Sequence, residues 1–216
     1  MSLHFHVIPV TPFAQNCSIL WCDASGRAAV VDAGGDIERI ADWISRQNLT
    51  VEKLLLTHGH IDHAGGAARL AEQLGVKIEG PQRAESFWLD QLPQQGHMFG
   101  FPRSEALAPD RWLEEGDTVS VGEETLNVIH CPGHTPGHVV FHSAGARLLI
   151  AGDVLFQGSI GRTDFPMGNH QQLIDAIQQK LFLLPDDTTV VPGHGPLTSI
   201  GEEKRSNPYV ANPRYR

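Results

Sequence analysis

The chain has 216 residues, of which 41% are hydrophobic, enough to build one sizeable α/β domain around a proper core. Its formal net charge of -9 argues against a nucleic-acid backbone as partner, because phosphate binding needs a basic surface. The N-terminus MSLHFHVIPV lacks a basic region followed by an apolar core, and no apolar run approaches the length of a membrane-spanning helix, so a cytoplasmic protein with no membrane partner is expected.

The first predicted element is a strand over Leu3 to Val10, with Leu3, Phe5 and Val7 on one face. His4 and His6 share the other face and read as solvent-facing residues of an edge strand, with metal binding as the alternative. Asn16 to Cys22 and Arg27 to Asp32 follow as strands joined by a hairpin turn, Asp23 to Gly26. Cys17 and Cys22 fall on opposite faces of one strand and are not expected to pair. Three cysteines without a disulfide framework suit a reducing compartment. Asp32 closes its strand before Gly34 and Gly35. A carboxylate there can orient a metal-binding histidine or bond within its own turn, and the residues alone leave both open. Asp36 is expected to cap a helix whose buried face is Ile37, Ile40, Ala41 and Ile44.

The apolar run Val51 to Thr57 reads as a buried strand leading into HGHIDH, His58 to His63. Three imidazoles and a carboxylate in six residues are zinc-ligand chemistry. His58 and His60 can share a face of an extended segment, whereas Asp62 and His63 come after a turn, which suggests two ligand pairs rather than one cage. A helix with Ala67, Leu70, Ala71 and Leu74 inside ends at Gly75, and a short strand runs from Val76 to Glu79. Pro81 to Leu92 reads as a helix stopped by Pro93. The segment Gln94 to Asp110, with His97, Met98, Phe99 and Phe101, has no clear period. It reads as a long loop, either a lid or an apolar loop packed flat on the core.

Strands are then expected over Thr118 to Val121, Thr125 to Cys131, His138 to His142, Arg147 to Ala151 and Thr188 to Val191. A helix capped by Asn169 carries Leu173, Ile174, Ile177 and Leu181. This order is not the strict alternation of a doubly wound sheet, and two mixed sheets packed together with helices outside fit it better. Cys131 reads as a buried cysteine at a strand end rather than a nucleophile. Three more candidate ligands sit on Pro/Gly turns or at strand ends: His134 in CPGHTPGH, Asp153 in AGD and His194 in PGHGP. With His58, His60, Asp62 and His63 they make seven, where one tetrahedral zinc takes four. Two ions sharing a bridging carboxylate are implied.

HxHxDH, the later histidine, the aspartate after an apolar strand and the final histidine together resemble the metallo-β-lactamase superfamily, and the turn VVDAGG, Val30 to Gly35, is similar to its first motif. The resemblance implies a four-layer αβ/βα sandwich of two mixed sheets, spanning residues 1–216 as a single domain, with the metals at one edge. CPGHTPGH and GSIGRTDFP look most like the glyoxalase II branch. By that resemblance His58, His60 and His134 hold the first divalent ion, Asp62, His63 and His194 the second, and Asp153 bridges. Asp32 would orient a metal-binding histidine from behind. The ions would be zinc, with iron or manganese as alternatives. They would lower the pKa of a shared water and supply hydroxide for attack on a small-molecule thioester, an S-acylglutathione such as S-lactoylglutathione. Asp62 and Asp153 would carry the catalysis, and Arg162 would steady its loop or meet an anionic substrate. Longer glyoxalase II enzymes add a C-terminal helical region with basic residues that grip glutathione. Here only Leu197 to Arg216 follow PGHGP, so the chain is more similar to short bacterial enzymes without that domain. Lys204, Arg205, Arg214 and Arg216 are the candidates to replace it. Rival readings are a mononuclear iron persulfide dioxygenase, an RNA-processing nuclease, a lactonase or β-lactamase, and a non-catalytic binding module.

Overall fold

Alternation within continuous apolar runs places two sheets in the middle of the molecule. The structure, a computed structural model, describes residues 2–101 and 104–211. The first sheet is built from β1 (Leu3–Val10), β2 (Gln15–Cys22), β3 (Arg27–Val31), β4 (Thr50–Leu55) and β5 (Lys77–Glu79), in that spatial order. β1, β2 and β3 are antiparallel, and β3, β4 and β5 are parallel. The second sheet contains β6 (Thr118–Val121), β7 (Glu124–His130), β8 (Val139–Ser143), β9 (Leu148–Gly152), β12 (Thr189–Pro192) and β13 (Thr198–Ser199), in the order β13-β12-β9-β8-β7-β6. β10 (Leu155–Phe156) and β11 (Ser159–Ile160) form a separate ribbon.

Successive residues of one strand feed different cores. Leu54 and Leu56 point to the helices outside the first sheet, while Leu55 points between the sheets. Val139 and Phe141 also lie between the sheets, whereas Val140 joins the outer core of the second sheet. Strands buried on both faces need apolar residues at every position, which explains runs such as LLL and VVF. The first outer core is completed by α1 (Ile37–Arg46) and α3 (Ala67–Leu74). The second is completed by α6 (His170–Gln179) and α7 (Ile200–Ser206). The expected two mixed sheets with outer helices are therefore present, in four layers. The three cysteines are free and buried, as the strand geometry required. No helix among the described residues is long and apolar enough to cross a membrane.

Three local expectations are corrected. Asp36 makes no side-chain cap on α1; its carboxylate instead accepts the Thr11 amide at 2.9 Å, tying the β1–β2 turn to the helix start. Pro93 does not end a helix. The segment from Pro81 breaks into a 3-10 turn (Arg83–Glu85), then α4 (Ser86–Asp90), and Pro93 lies in the first turn of α5 (Leu92–Phe99), where a missing N–H costs nothing. The long loop therefore begins as a helix, α5. Its second part turns inward: Phe101 packs against the first outer core and Leu107 is buried within it. The Asn169 cap is present, its side chain accepting the Gln172 amide at 3.0 Å. Lys204 and Arg205 lie on α7, tied to Asp186 and Glu202, while Arg214 and Arg216 lie outside the described residues.

Strand direction brings the candidate residues to one edge. β3 and β4 run parallel, so the loops after them leave the first sheet on the same side. β9 and β12 are parallel, and β7 is two antiparallel steps from β9, so the C-terminal ends of all three also face one side of the second sheet.

Candidate metal centre

The turn after β4 and the short α2 (Ile61–Ala64) carry His58, His60, Asp62 and His63. His134 follows β7, Asp153 follows β9 and His194 follows β12. The structure brings all seven together; six of them form two groups that can hold metal ions, His58, His60 and His134, and Asp62, His63 and His194, and Asp32 with His58 and His63 forms a third cluster of the same kind. In the first, His60 Nδ1 lies 3.1 Å from His58 Nε2 and 3.0 Å from His134 Nε2. Nitrogens bound to one tetrahedral zinc at about 2.0–2.1 Å are separated by roughly 3.3 Å, so the triad is close to the required spacing. In the second, His194 Nε2 stands 3.1 Å and His63 Nε2 3.7 Å from Asp62 Oδ2.

Asp153 lies between the groups. Its Oδ2 is 3.5 Å from His134 Nε2, and its Oδ1 is 3.2 Å from His63 Nε2 and 3.7 Å from His194 Nε2. His63 Nε2 and Asp153 Oδ1 are buried without an aligned hydrogen bond. Two such atoms aimed at a common point are what a shared cation would satisfy. Gly193 permits the approach: a Cβ there would stand 2.1 Å from Asp153 Oδ1 and 2.7 Å from His63 Cε1.

The far nitrogens set the tautomers. His58 Nδ1 donates to Thr57 Oγ1 at 3.0 Å, His134 Nδ1 to the Arg162 carbonyl at 2.7 Å, His63 Nδ1 to Asp32 at 2.9 Å, and His194 Nδ1 to the Phe13 carbonyl at 3.2 Å. Each N–H directed outward leaves the Nε2 lone pair facing the centre. Asp32 acts on both groups, because its Oδ2 also accepts from Thr57 Oγ1 at 2.6 Å. It thus orients His63 directly and His58 through Thr57, and of the two roles open to it in the sequence the structure shows the orienting one. Its Oδ1 holds the Thr57 amide at 2.8 Å.

The electrostatics divide the groups. Burial, then the surrounding imidazoles, pushes His58 well below the ordinary histidine range, and burial and His134 bring His60 down to about 3. His63 is also buried, but the Asp153, Asp62 and Asp32 carboxylates outweigh that and raise it. His194 is raised in the same way by Asp62 and Asp153 against a partial burial penalty. Burial opposes the ionisation of Asp153, yet His63, His134 and His194 hold it far below the usual carboxylate range.

Several residues around the centre were not singled out in the sequence. His138, the second histidine of CPGHTPGH, stacks on His58 at 4.6 Å and accepts the Asp153 amide on Nε2 at 3.0 Å. Its motif was the available signal. Glu85 and Gln95 carried none, since each lies alone in an unremarkable segment. Arg162 pairs bidentately with Asp164 at 3.0 and 2.9 Å and lies over the Phe165 ring at 4.6 Å. His4 and His6 stay exposed, stacked on Trp21 and Trp43, away from the cluster. Burial pushes the Cys131 thiol up to about 12, which leaves it inert.

Residues 10–194 match the family model described as the metallo-beta-lactamase superfamily. The chain belongs to the metallo-β-lactamase superfamily. Among curated relatives it is 45% identical to hydroxyacylglutathione hydrolase GloC of Haemophilus influenzae, over 96% of this chain and 98% of that one. Among solved structures, BLEG-1 B3 metallo-beta-lactamase superposes with a TM-score of 0.89 at 36% identity, covering 97% of this chain and 100% of the other. TTHA1623 in a di-iron-bound form superposes at 0.86 with 31% identity, covering 94% and 99%. The superfamily fold is thus common to sequence, structure and relatives.

The metal centre opens into a pocket of about 790 Å3. Its floor includes His60, Asp62, His134, Asp153 and His194, and its walls include Phe13, Trp88, Met98, Phe99, Phe156 and Phe165. Phe165 leans on His60 and His134 at ring separations of 4.8 and 5.5 Å. Of the long loop's two readings, the helical part is a pocket wall, while Phe101 and Leu107 pack on the core.

Proposed function

We propose that the protein is a binuclear metal-dependent thioester hydrolase acting on S-lactoylglutathione and related S-acylglutathiones. The observation that carries this reading is Asp153, with one oxygen toward each of two metal-holding groups on the floor of an open, apolar-walled pocket. The likeness to a hydroxyacylglutathione hydrolase supports the substrate class. Held by these histidines and aspartates, two divalent ions would lower the pKa of a bound water and polarise a carbonyl oxygen. Neutral imidazole and carboxylate suit zinc, and the same donors accommodate iron or manganese.

The chain's own residues supply the rest. Asp62 and Asp153 keep negative charge at the centre, and Asp62 faces the pocket, where it can orient a nucleophilic water. The aromatic walls exclude water around the scissile bond and receive the acyl or thiol arm. A departing thiolate is a good leaving group and needs no strong general acid. Arg162 is the one cation on the pocket wall among the described residues, and Asp164 already pairs with it. The pocket therefore has little with which to grip the carboxylates of glutathione, and binding energy from remote groups raises the rate only when the protein meets them. We place the protein in the cytoplasm on the strength of its three buried free thiols.

The test compares the lactoyl thioesters of glutathione and of a small uncharged thiol, with oxygen uptake on glutathione persulfide measured in parallel. Hydrolysis of both esters within about a thousandfold of each other in kcat/KM, and no oxygen uptake, is expected. A larger preference for glutathione, above about 4 kcal/mol, would reveal a dedicated glutathione site. Oxygen consumption without hydrolysis would replace the hydrolase reading with the dioxygenase one.

A further inference from the structure

We propose that Glu85 and Gln95 are positioning residues that hold the three-histidine group in place through the backbone of Gly59. Gly59 lies between His58 and His60, and both of its peptide groups are taken by buried side chains. Its N–H donates to Glu85 Oε1 at 3.0 Å, and its carbonyl accepts from Gln95 Nε2 at 3.1 Å. The same carboxamide accepts the Ile61 amide on Oε1 at 3.0 Å, so Gln95 straddles His60, bonding the backbone on either side of it. Its Nε2 also donates to the Trp88 carbonyl at 2.9 Å, which anchors it to α4. Glu85 reaches in the other direction: its Oε2 accepts the Gly137 amide at 2.7 Å, in the loop that carries His134. One carboxylate therefore ties the turn holding His58 and His60 to the loop holding His134.

Packing leaves no slack in this arrangement. Glu85 is fully buried and Gln95 is 7% exposed. A Cβ on Gly59 would stand 2.8 Å from Trp88 Cβ, and one on Gly137 would stand 2.5 Å from the Glu85 amide nitrogen. A carboxylate in such a place costs stability unless it is satisfied by hydrogen bonds, and burial pushes Glu85 up to about 7. A neutral apolar residue would pack there without that cost but could not accept two N–H groups at once. The His58 group needs this support. Asp153 stands 3.5 Å from His134 Nε2 and attracts it, but the three donors are all imidazoles, so the spacing of His58 and His60 rests mainly on their backbone. Holding them there beforehand removes an ordering cost from metal binding.

The test uses the full chain stripped of metal and titrated with zinc against a chelator of known affinity. His134→Ala and His194→Ala serve as references for which binding step belongs to which group. Circular dichroism and melting of the metal-free proteins report the fold. At pH 8, where Glu85 is ionised, Glu85→Gln keeps the shape but turns one of its two acceptors into a donor. It is expected to weaken zinc binding at the three-histidine group by about 10–100-fold, the usual effect of removing an outer partner of a metal site, with the Asp62 group changed less than about threefold. Gln95→Met keeps the volume, removes the bonds to Gly59 and Ile61, and is expected to weaken the same step by a similar factor. It decides the matter if Glu85→Gln does not fold. A folded variant that binds zinc at the three-histidine group as tightly as the parent overturns the proposal. So does an equal loss at both groups with a lowered melting temperature, the signature of a merely structural role. The inference rests on His58, His60 and His134 being metal donors. A parent protein that takes up no zinc in that group refutes that reading itself, whereas normal uptake by parent and variants alike refutes only the positioning role.

Discussion

The His58–His60–His134 group and the Asp62–His63–His194 group share Asp153 but are assembled by different forces. The first is three imidazoles packed against one another and against Trp88 and Phe165, and burial keeps them neutral. Asp153 attracts His60 and His134 but burial outweighs that pull, and their spacing comes from backbone held by Glu85 and Gln95. The second places His63 and His194 beside carboxylates, which draw positive charge inward and raise both imidazoles. Its geometry comes from charge and from Asp32. The two groups thus rest on different parts of the fold, so a substitution should identify its group by what it disturbs.

Asp153 is the residue where the distinction collapses, and its loss should have the largest effect. Asp153→Ala is expected to lower kcat/KM by about a thousandfold or more, roughly 4 kcal/mol, and to reduce bound metal at both groups. Elemental analysis alongside kinetics checks this; a variant retaining two ions and most of its activity would show that the groups are independent.

The first group's dependence on a buried carboxylate can be read as a pH effect on the metal-free protein. Glu85 in the folded chain binds its proton up to about pH 7, against the ordinary glutamate value of 4.5 when unfolded. Between these values the native state holds a proton that the unfolded state has lost, so stability falls as pH rises. The contribution is fully present below the unfolded value and gone above about 7. The interval corresponds to about 3 kcal/mol. Denaturant unfolding at a series of pH values should show this loss in the parent and not in Glu85→Gln. Parallel curves would mean that Glu85 is not protonated on this range.

A smaller effect separates direct from relayed support. Asp32→Asn should weaken metal binding by about 10–100-fold at the Asp62 group, whose His63 it touches. The His58 group, reached only through Thr57, should weaken less. Zinc titration resolves the two steps. A greater loss at the His58 group would make the Thr57 relay the stronger connection.

The sequence by itself determined the chemistry of the centre and the plan of the fold. HGHIDH concentrates histidine and aspartate in a run too dense for an ordinary turn, and the later histidines and aspartate sit on turns or strand ends where side chains converge. The apolar runs Leu54 to Leu56 and Val139 to Phe141 are buried on both faces, since the two faces of a strand are fixed by its period of two, whereas Val51 to Lys53 at the start of the expected buried strand are only half-buried. Tertiary structure alone decided the rest. Asp32 could bond its own turn or a distant histidine, and only the packing of β3 beside β4 brings His63 and Thr57 within reach. Pro93 could stop a helix or start one, and the same missing N–H suits both. Glu85 and Gln95 meet Gly59 across separations of 26 and 36 residues. Their partners are backbone groups, which every residue possesses, so no residue type in the sequence marks the positions they bind.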